Sequence, residues 1–332
     1  MNNLNCKEYF NKILCDVVGT KVVPWRDKKI KSLKVADSFY RLNLKNRALR
    51  VKFCGTNLTF KILGDGQKKL HSADFCRDRF CPMCKWRRSL KMFYNVSRVM
   101  DYIINNNPNV VPIFLTFTVK NCYAEDLKET MDNMFKGFHK FTRRKVFLLN
   151  VLGYFRAFEI TYNQSEDNWH PHFHCIFLVD KNYFKKSNKN YLSTNDWAEL
   201  WKSCCNLDYV PVTYAKKINK KGKSLHKSVA EVAKYSHKDT DFIQEDTEQM
   251  DKIFSVLIDN LSGRRLCSFG GLMKEVFKIL KLEDAENSEN LINIDGEFRT
   301  DVSEVLVKYK WNFGLGNYVE FNPEEIPEEE LL

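Results

Sequence analysis

The run His170-Pro171-His172-Phe173-His174, followed at once by Cys175-Ile176-Phe177-Leu178-Val179, restricts the fold more than any other stretch of the chain. Its apolar residues are mainly β-branched or aromatic and its pattern repeats every second residue, so it reads as a strand. Residues two apart in a strand point to one face, which sends all three imidazoles out from the same side. The chain has seven histidines, and three of them stand here. Neutral imidazole is the commonest metal ligand, and convergent imidazoles are costly to arrange for packing alone. The segment is expected to be a strand that carries a metal site.

A partner strand precedes it. Tyr154 to Tyr162 has the same character, and Asn163-Gln164-Ser165-Glu166-Asp167-Asn168 is a polar connector that closes the two into a hairpin. The hairpin sets Glu159 opposite His172 or His174, within cross-strand contact range. Two imidazoles and a carboxylate on one sheet face make an open site for Mg²⁺ or Mn²⁺, which suit phosphate chemistry, with zinc and a water as the rival. The competing reading is a buried histidine pair satisfied by Glu159. His170 precedes a proline and is an accessory candidate only.

A second cluster has a different chemistry. Cys76, Cys81 and Cys84 form C-x4-C-x2-C, and the Cys81-Pro82-Met83-Cys84 turn lets two thiolates converge on a tetrahedral zinc ion. A fourth ligand is required, with Cys54 the first candidate and His71 the second. Such a zinc would be structural, closing a lobe that presents Arg77, Arg79, Trp86, Arg87 and Arg88 to a phosphate backbone. Adjacent Cys204 and Cys205 cannot readily share one small ion site and read as packing thiols.

Charge supports a polyanionic partner. Residues 281–332 hold 4 Lys/Arg against 14 Asp/Glu, so the chain's net +11 leaves +21 on residues 1–280. A body that basic points to nucleic acid. Lys7, Glu8, Lys12 and Asp16 break up the N-terminal apolar residues, which argues against a secretory signal. The longest apolar run, Val110 to Val119, is about half of what a bilayer crossing needs. Eleven cysteines then suit a reducing compartment, and a cytoplasmic protein without a membrane span is expected.

Along the chain, strands are expected at 51–60, 113–119, 154–162, 172–179 and 209–214. Helices are expected from the cysteine cluster to Asn105, over 125–145, over 197–204, over 228–237, and near 247–261 and 270–282. This divides the chain into a basic, zinc-binding region (1–105), a core (106–245) and a mainly helical C-terminal region with an acidic tail (246–332). The segment Ala230-Glu231-Val232-Ala233-Lys234-Tyr235-Ser236-His237-Lys238 places Glu231 and Tyr235 on one helical face, and Tyr235 and Lys238 three apart. A tyrosine hydroxyl is a poor nucleophile at a free pKa near 10. A nearby metal or cation that offsets charge on an attacked phosphate makes it competent.

Taken in order, these elements resemble the replication initiator (Rep) proteins of small rolling-circle plasmids, within the HUH endonuclease superfamily. The resemblance rests on Cys76, Cys81 and Cys84; Phe114-Leu115-Thr116-Phe117-Thr118; Glu159-Ile160-Thr161-Tyr162; Pro171-His172-Phe173-His174; and Ala233 to Asp239, with a looser echo in Ser268-Phe269-Gly270-Gly271-Leu272. It implies an α+β fold whose core is a central antiparallel sheet of about five strands flanked by helices. It further implies that Tyr235 nicks one strand of plasmid origin DNA, leaving a 5′-phosphotyrosyl link and a 3′-OH that primes synthesis. His172, His174 and Glu159 would hold the divalent ion. Glu231 would activate water for the terminating cleavage, Lys238 would steady phosphate or phenolate, and Lys234 would contact DNA. Host helicase and polymerase are the further partners implied. Two other HUH classes fit less well: relaxases usually carry the tyrosine before the histidines, and single-tyrosine transposases are usually much shorter chains. A non-catalytic zinc-containing DNA-binding regulator would leave Tyr235, Glu231 and the histidine pair without a task.

Overall fold

In this computed structural model, residues 13–15, 17–18, 21–62, 68–219, 223–233, 242–294 and 305–321 are described. They fall into two compact units, residues 1–87 with 289–332 and residues 88–288.

The first unit is built on α1 (Trp25–Arg41) and α2 (Lys45–Lys52). In α1, Trp25, Lys29, Ser32, Ala36 and Phe39 recur at three- and four-residue steps and are buried. A lysine in that stripe must be satisfied, and Lys29 Nζ donates to the Lys52 and Cys54 carbonyls and to Thr56 Oγ1 at 2.7–3.0 Å. Two short strands, β1 (Val17–Val18) and β2 (Lys21–Val22), pair with each other. The main sheet of the unit contains β3 (Asn57–Ile62), β4 (Lys68–Ala73), β10 (Val305–Asn312) and β11 (Asn317–Glu320), antiparallel in the order β11-β10-β3-β4.

That sheet corrects two expectations. The strand expected over 51–60 starts only at Asn57, because residues 51–52 complete α2 and 53–56 turn the chain. The C-terminal region is not mainly helical, since it supplies the hairpin β10–β11. Buried Tyr309 and Trp311 alternate with exposed Lys308 and Lys310, a period-two pattern hidden in a charged segment.

The second unit holds a five-stranded antiparallel sheet in the order β8-β5-β7-β6-β9. Its strands are β5 (Val110–Thr118), β6 (Val151–Asn163), β7 (Asn168–Asp180), β8 (Thr213–Lys217) and β9 (Cys267–Gly271). With nine α-helices and two multi-stranded antiparallel sheets among the described residues, the protein is α+β. The β8 strand begins four residues later than expected, after the irregular stretch at 207–212. The fifth strand, which no sequence pattern placed, is β9, short and at the sheet edge.

Both sheet faces are covered. On one, Phe117, Phe173 and Phe177 pack with Phe138 and Phe141 of α4 (Ala124–Phe141) and with Trp197 and Trp201 of α6 (Thr194–Cys205). The short α5 (Lys145–Asn150) leads into β6, and α8 (Thr247–Leu261) precedes β9. On the other face, Phe155, Ala157, Ile176 and Leu178 form a core with Val96 and Val99 of α3 (Pro82–Asn106). Val229 and Val232 of α7 (Lys223–Ala233) and Met273 of α9 (Leu272–Ile279) join that core. It is this second face that carries Glu159 and the histidines.

Candidate functional site

The β6–β7 hairpin pairs Glu159 directly with His172, and Ala157 with His174. Side-chain alternation then puts Glu159, His172 and His174 on the face that α7 covers further along the sheet. Their ligating atoms all lie within 4.8 Å of one another. Glu159 Oε2 is 2.9 Å from His174 Nε2 and 3.4 Å from His172 Nε2, and the two Nε2 atoms are 3.1 Å apart.

The outer nitrogens of the two rings fix how the inner ones can act. His172 Nδ1 lies 3.1 Å from the His170 carbonyl, which can only accept, so Nδ1 carries the proton and a neutral ring keeps a lone pair on Nε2. His174 Nδ1 lies 3.1 Å from Thr116 Oγ1 on β5, a partner that permits the same tautomer. Two Nε2 atoms and a carboxylate oxygen therefore converge. A divalent ion about 2.1 Å from each of two neighbouring nitrogens would separate them by about 3 Å, which this spacing matches. Burial disfavours the charged form of Glu159, but His172 and His174, when protonated also at Nε2, donate to its carboxylate and hold the carboxyl well below the usual range. A charged Glu159 is the form a cation needs. The arrangement can hold a hard or borderline divalent ion and, with three ligands, leaves coordination positions open.

His170 stands apart. Its Nδ1 is 2.6 Å from Asn121 Oδ1, and it belongs to no ligand cluster among the described residues. Burial, and then the neighbouring His172, lower its pKa.

The cysteines form a second cluster, within the first unit. Cys54, Cys76, Cys81 and Cys84 bring four sulfurs within 4.8 Å of one another, and His71 is exposed on β4, outside the set. Cys54 Sγ and Cys84 Sγ are 3.5 Å apart, and Cys76 Sγ and Cys84 Sγ 3.7 Å. Four sulfurs about 2.3 Å from a tetrahedral centre would lie about 3.8 Å apart. The backbone N–H groups of Cys76, Arg77 and Asp78 donate to Cys54 Sγ, Cys84 Sγ and Cys76 Sγ at 3.2–3.4 Å. Arg77 makes this possible with φ at +60°. The donor set fits zinc.

The basic residues near the cysteines divide. Arg77 is exposed, with Nη1 3.8 Å from Glu289, and Arg79 is half-buried. Arg87 is buried: Nε and Nη2 donate to the Leu291 and Ile292 carbonyls at 2.8 and 2.7 Å, and its guanidinium lies over the Trp25 and Trp86 rings. It is a tie within the first unit, not the phosphate contact expected of it, because it is buried with two of its donors held by main-chain carbonyls. Arg88 is also buried, and Trp86 packs edge-on against Trp25. These placements remove Arg87 and Arg88 from the surface where a DNA backbone would meet them.

Glu231 lies half-buried on α7. Lys234, Tyr235 and Lys238 lie outside the described residues; Ala233, the last residue of α7, precedes Tyr235 by two positions. Two partners of the histidines escaped sequence reasoning, Thr116 and Asn121. Thr116 carried a signal, since it alternates with Phe114 and Thr118 on a strand, but nothing local showed that this strand would lie beside β7.

Residues 67–319 match the family model described as "Replication protein". The chain is 39% identical to a "Protein rep" of Lactiplantibacillus plantarum over 90% of its length and 95% of the relative's. It is 35% identical to a "Protein rep" of Streptococcus pneumoniae serotype 2, over 89% of this chain and 91% of that one. A "Protein rep" of Bacillus amyloliquefaciens is 36% identical, with 92% and 97% covered. No solved structure matches the chain. The chain belongs to the Rep family of plasmid replication proteins. Among the described residues, no helix is long and apolar enough to cross a membrane.

Proposed function

We propose that this protein starts rolling-circle replication by nicking and rejoining one strand of its plasmid origin, as an HUH endonuclease with Tyr235 as nucleophile. The observation that carries the reading is the convergence of Glu159, His172 and His174 on the sheet face that α7 covers, in a chain of the Rep family. Glu159, His172 and His174 would hold a Mg²⁺ or Mn²⁺ ion, which would supply positive charge to polarise the scissile phosphate. Tyr235, just beyond α7, attacks the phosphorus through its phenolic oxygen. The phenolic proton is lost, a P–O bond to tyrosine forms, and the bond to the 3′-oxygen breaks. The 3′-oxygen takes up a proton and leaves as the 3′-OH from which a host polymerase, with a host helicase ahead of it, extends.

Lys238 offsets charge on the phosphate or the phenolate, and Lys234 contacts the DNA. Glu231, four residues before Tyr235, activates water for the terminating cleavage. Cys54, Cys76, Cys81 and Cys84 would hold a structural zinc, and exposed Arg77 and half-buried Arg79 beside them contact the DNA. A regulator without catalysis is disfavoured, because it gives the buried carboxylate and two histidines nothing to do.

The test is a nicking assay on supercoiled plasmid carrying the cognate origin, with Mg²⁺ or Mn²⁺. Wild-type protein should yield nicked circles with protein on the 5′ end. Tyr235→Phe should abolish that adduct, and the double substitution His172→Ala/His174→Ala should abolish nicking while sparing DNA binding. An unchanged adduct with Tyr235→Phe rules out the nucleophile, and nicking that survives a chelator rules out the metal role.

A further inference from the structure

The sheet face that carries Glu159 and the histidines continues past them to an exposed edge. β5 pairs with β7 on one side and with β8 on the other, and the two registers line up residues in rows across the sheet. One row runs Ala157, His174, Thr116, Tyr214; the next runs Phe155, Ile176, Phe114, Lys216. Tyr214 therefore lies on the face of His174, two strand spacings away, or about 10 Å. Within the row, Thr116 Oγ1 is bonded to His174 Nδ1, and Phe114 bridges diagonally. Its ring centroid is 5.7 Å from that of His174 and 6.2 Å from that of Tyr214.

Packing does not account for Tyr214. It is 51% exposed on the edge strand, beside Val212 at 77%, on a face whose more central rows are filled with core residues. The register alone brings an open aromatic ring to the margin of the proposed metal centre. Its surroundings are basic. Lys216 and Lys217, on the same strand, are exposed. An exposed aromatic among cations is the combination by which proteins hold single-stranded nucleic acid: the ring stacks a base of any identity and the cations follow the phosphates.

We propose that Tyr214 is a substrate-positioning residue that stacks an unpaired base of the DNA strand lying across β8, with Lys216 on the adjoining phosphate. This rests on the reading of the protein as a single-strand nicking enzyme and names where that strand runs. A strand anchored about 10 Å from the histidines has one of its phosphates fixed over the ligand cluster, so Tyr214 acts by position and not by chemistry.

The test separates binding from cleavage. Affinity for a fluorescein-labelled oligothymidylate is measured by anisotropy in the presence of chelator, so that no nicking occurs, alongside a duplex of matched length. Base–aromatic stacking is worth about 1–3 kcal/mol, so Tyr214→Ala should weaken single-strand binding by roughly 5-fold or more. Duplex binding should be unchanged, and Tyr214→Phe and Tyr214→Trp should bind the single strand as wild type does. Lys216→Ala should reduce the salt dependence of single-strand binding by roughly 0.7 in slope, and Tyr214→Ala should not change it. Equal single-strand affinity for wild type and Tyr214→Ala overturns the proposal. So does a loss shared equally with duplex, or a Tyr214→Phe variant as defective as Tyr214→Ala. If any of these occurs while nicking still requires Tyr235 and the histidines, the stacking site fails and the nicking function stands. If nicking proves independent of them while the Tyr214 series behaves as expected, the reverse holds.

Discussion

At the scale of single residues, the centre depends on a side chain that holds a ligand without being one. Thr116 Oγ1 meets His174 Nδ1 at 3.1 Å and can accept its proton, which holds the ring with Nε2 toward Glu159. Partners of this kind typically account for 10–100-fold in metal affinity. Thr116→Val keeps the shape of the side chain and removes the hydroxyl. It should weaken Mn²⁺ binding by roughly 10-fold or more, read by titration calorimetry, while the urea midpoint moves little. An unchanged Mn²⁺ affinity would show that the hydroxyl does not orient the ring. The ligands themselves were legible in the sequence, because alternation along one strand and a short hairpin are local properties. Glu159 falls opposite His172, as the connector length required. Thr116 was not legible, because its neighbour is set by a pairing between segments almost sixty residues apart. Arg87 failed for a related reason: a cation beside a cysteine cluster looks like a phosphate ligand until the Leu291 and Ile292 carbonyls are found on it.

At the scale of elements, β9 shows why a motif without an obvious task can be structural. Ser268-Phe269-Gly270-Gly271-Leu272 pairs along β6, with Tyr154 opposite Gly270 and Gly153 opposite Gly271. A Cβ on Gly270 would fall 2.1 Å from the Tyr154 ring, and one on Gly271 would fall 2.5 Å from the Leu152 carbonyl. Gly271 also has φ +52° and ψ −140°, a conformation that side chains other than glycine's oppose, at the point where β9 turns into α9. Gly271→Ala therefore combines backbone strain with a clash against main chain. It should destabilise the second unit by roughly 3 kcal/mol, seen as a lowered urea midpoint, with faster amide exchange along β9. A change within about 0.5 kcal/mol would mean that the turn can rebuild itself. The helices and central strands were readable from periodicity, but this edge strand was not: five residues with two glycines carry too little pattern. The β10–β11 hairpin was hidden by its charge, although every second residue from Val307 to Trp311 is at least partly buried.

At the scale of the whole molecule, the first unit is discontinuous in sequence, with residues 289–332 returning to residues 1–87. Local patterning cannot reveal such an arrangement, and the order of motifs along the chain conceals it. Its sheet draws β3 and β4 from one end and β10 and β11 from the other, so its closure is a long-range event that carries a large loop-closure cost. The four cysteines join the end of α2, the segment after β4 and the start of α3. Zinc in structural sites contributes about 10–16 kcal/mol of apparent binding free energy in small zinc-finger peptides, as much as the whole stability of an ordinary domain. Loss of the ion should therefore be enough to unfold this unit. Freshly purified protein should contain stoichiometric zinc by elemental analysis, and Cys84→Ser should lose it. Hydrogen exchange of the zinc-free protein should show β3, β4 and β10 unprotected while β5, β6 and β7 remain protected. His172→Ala/His174→Ala should keep its zinc and show the opposite sensitivity, losing only Mn²⁺ binding. Purified wild-type protein without zinc, or Cys84→Ser with full protection in β3 and β10, would mean that the sulfur cluster stabilises the unit by packing alone.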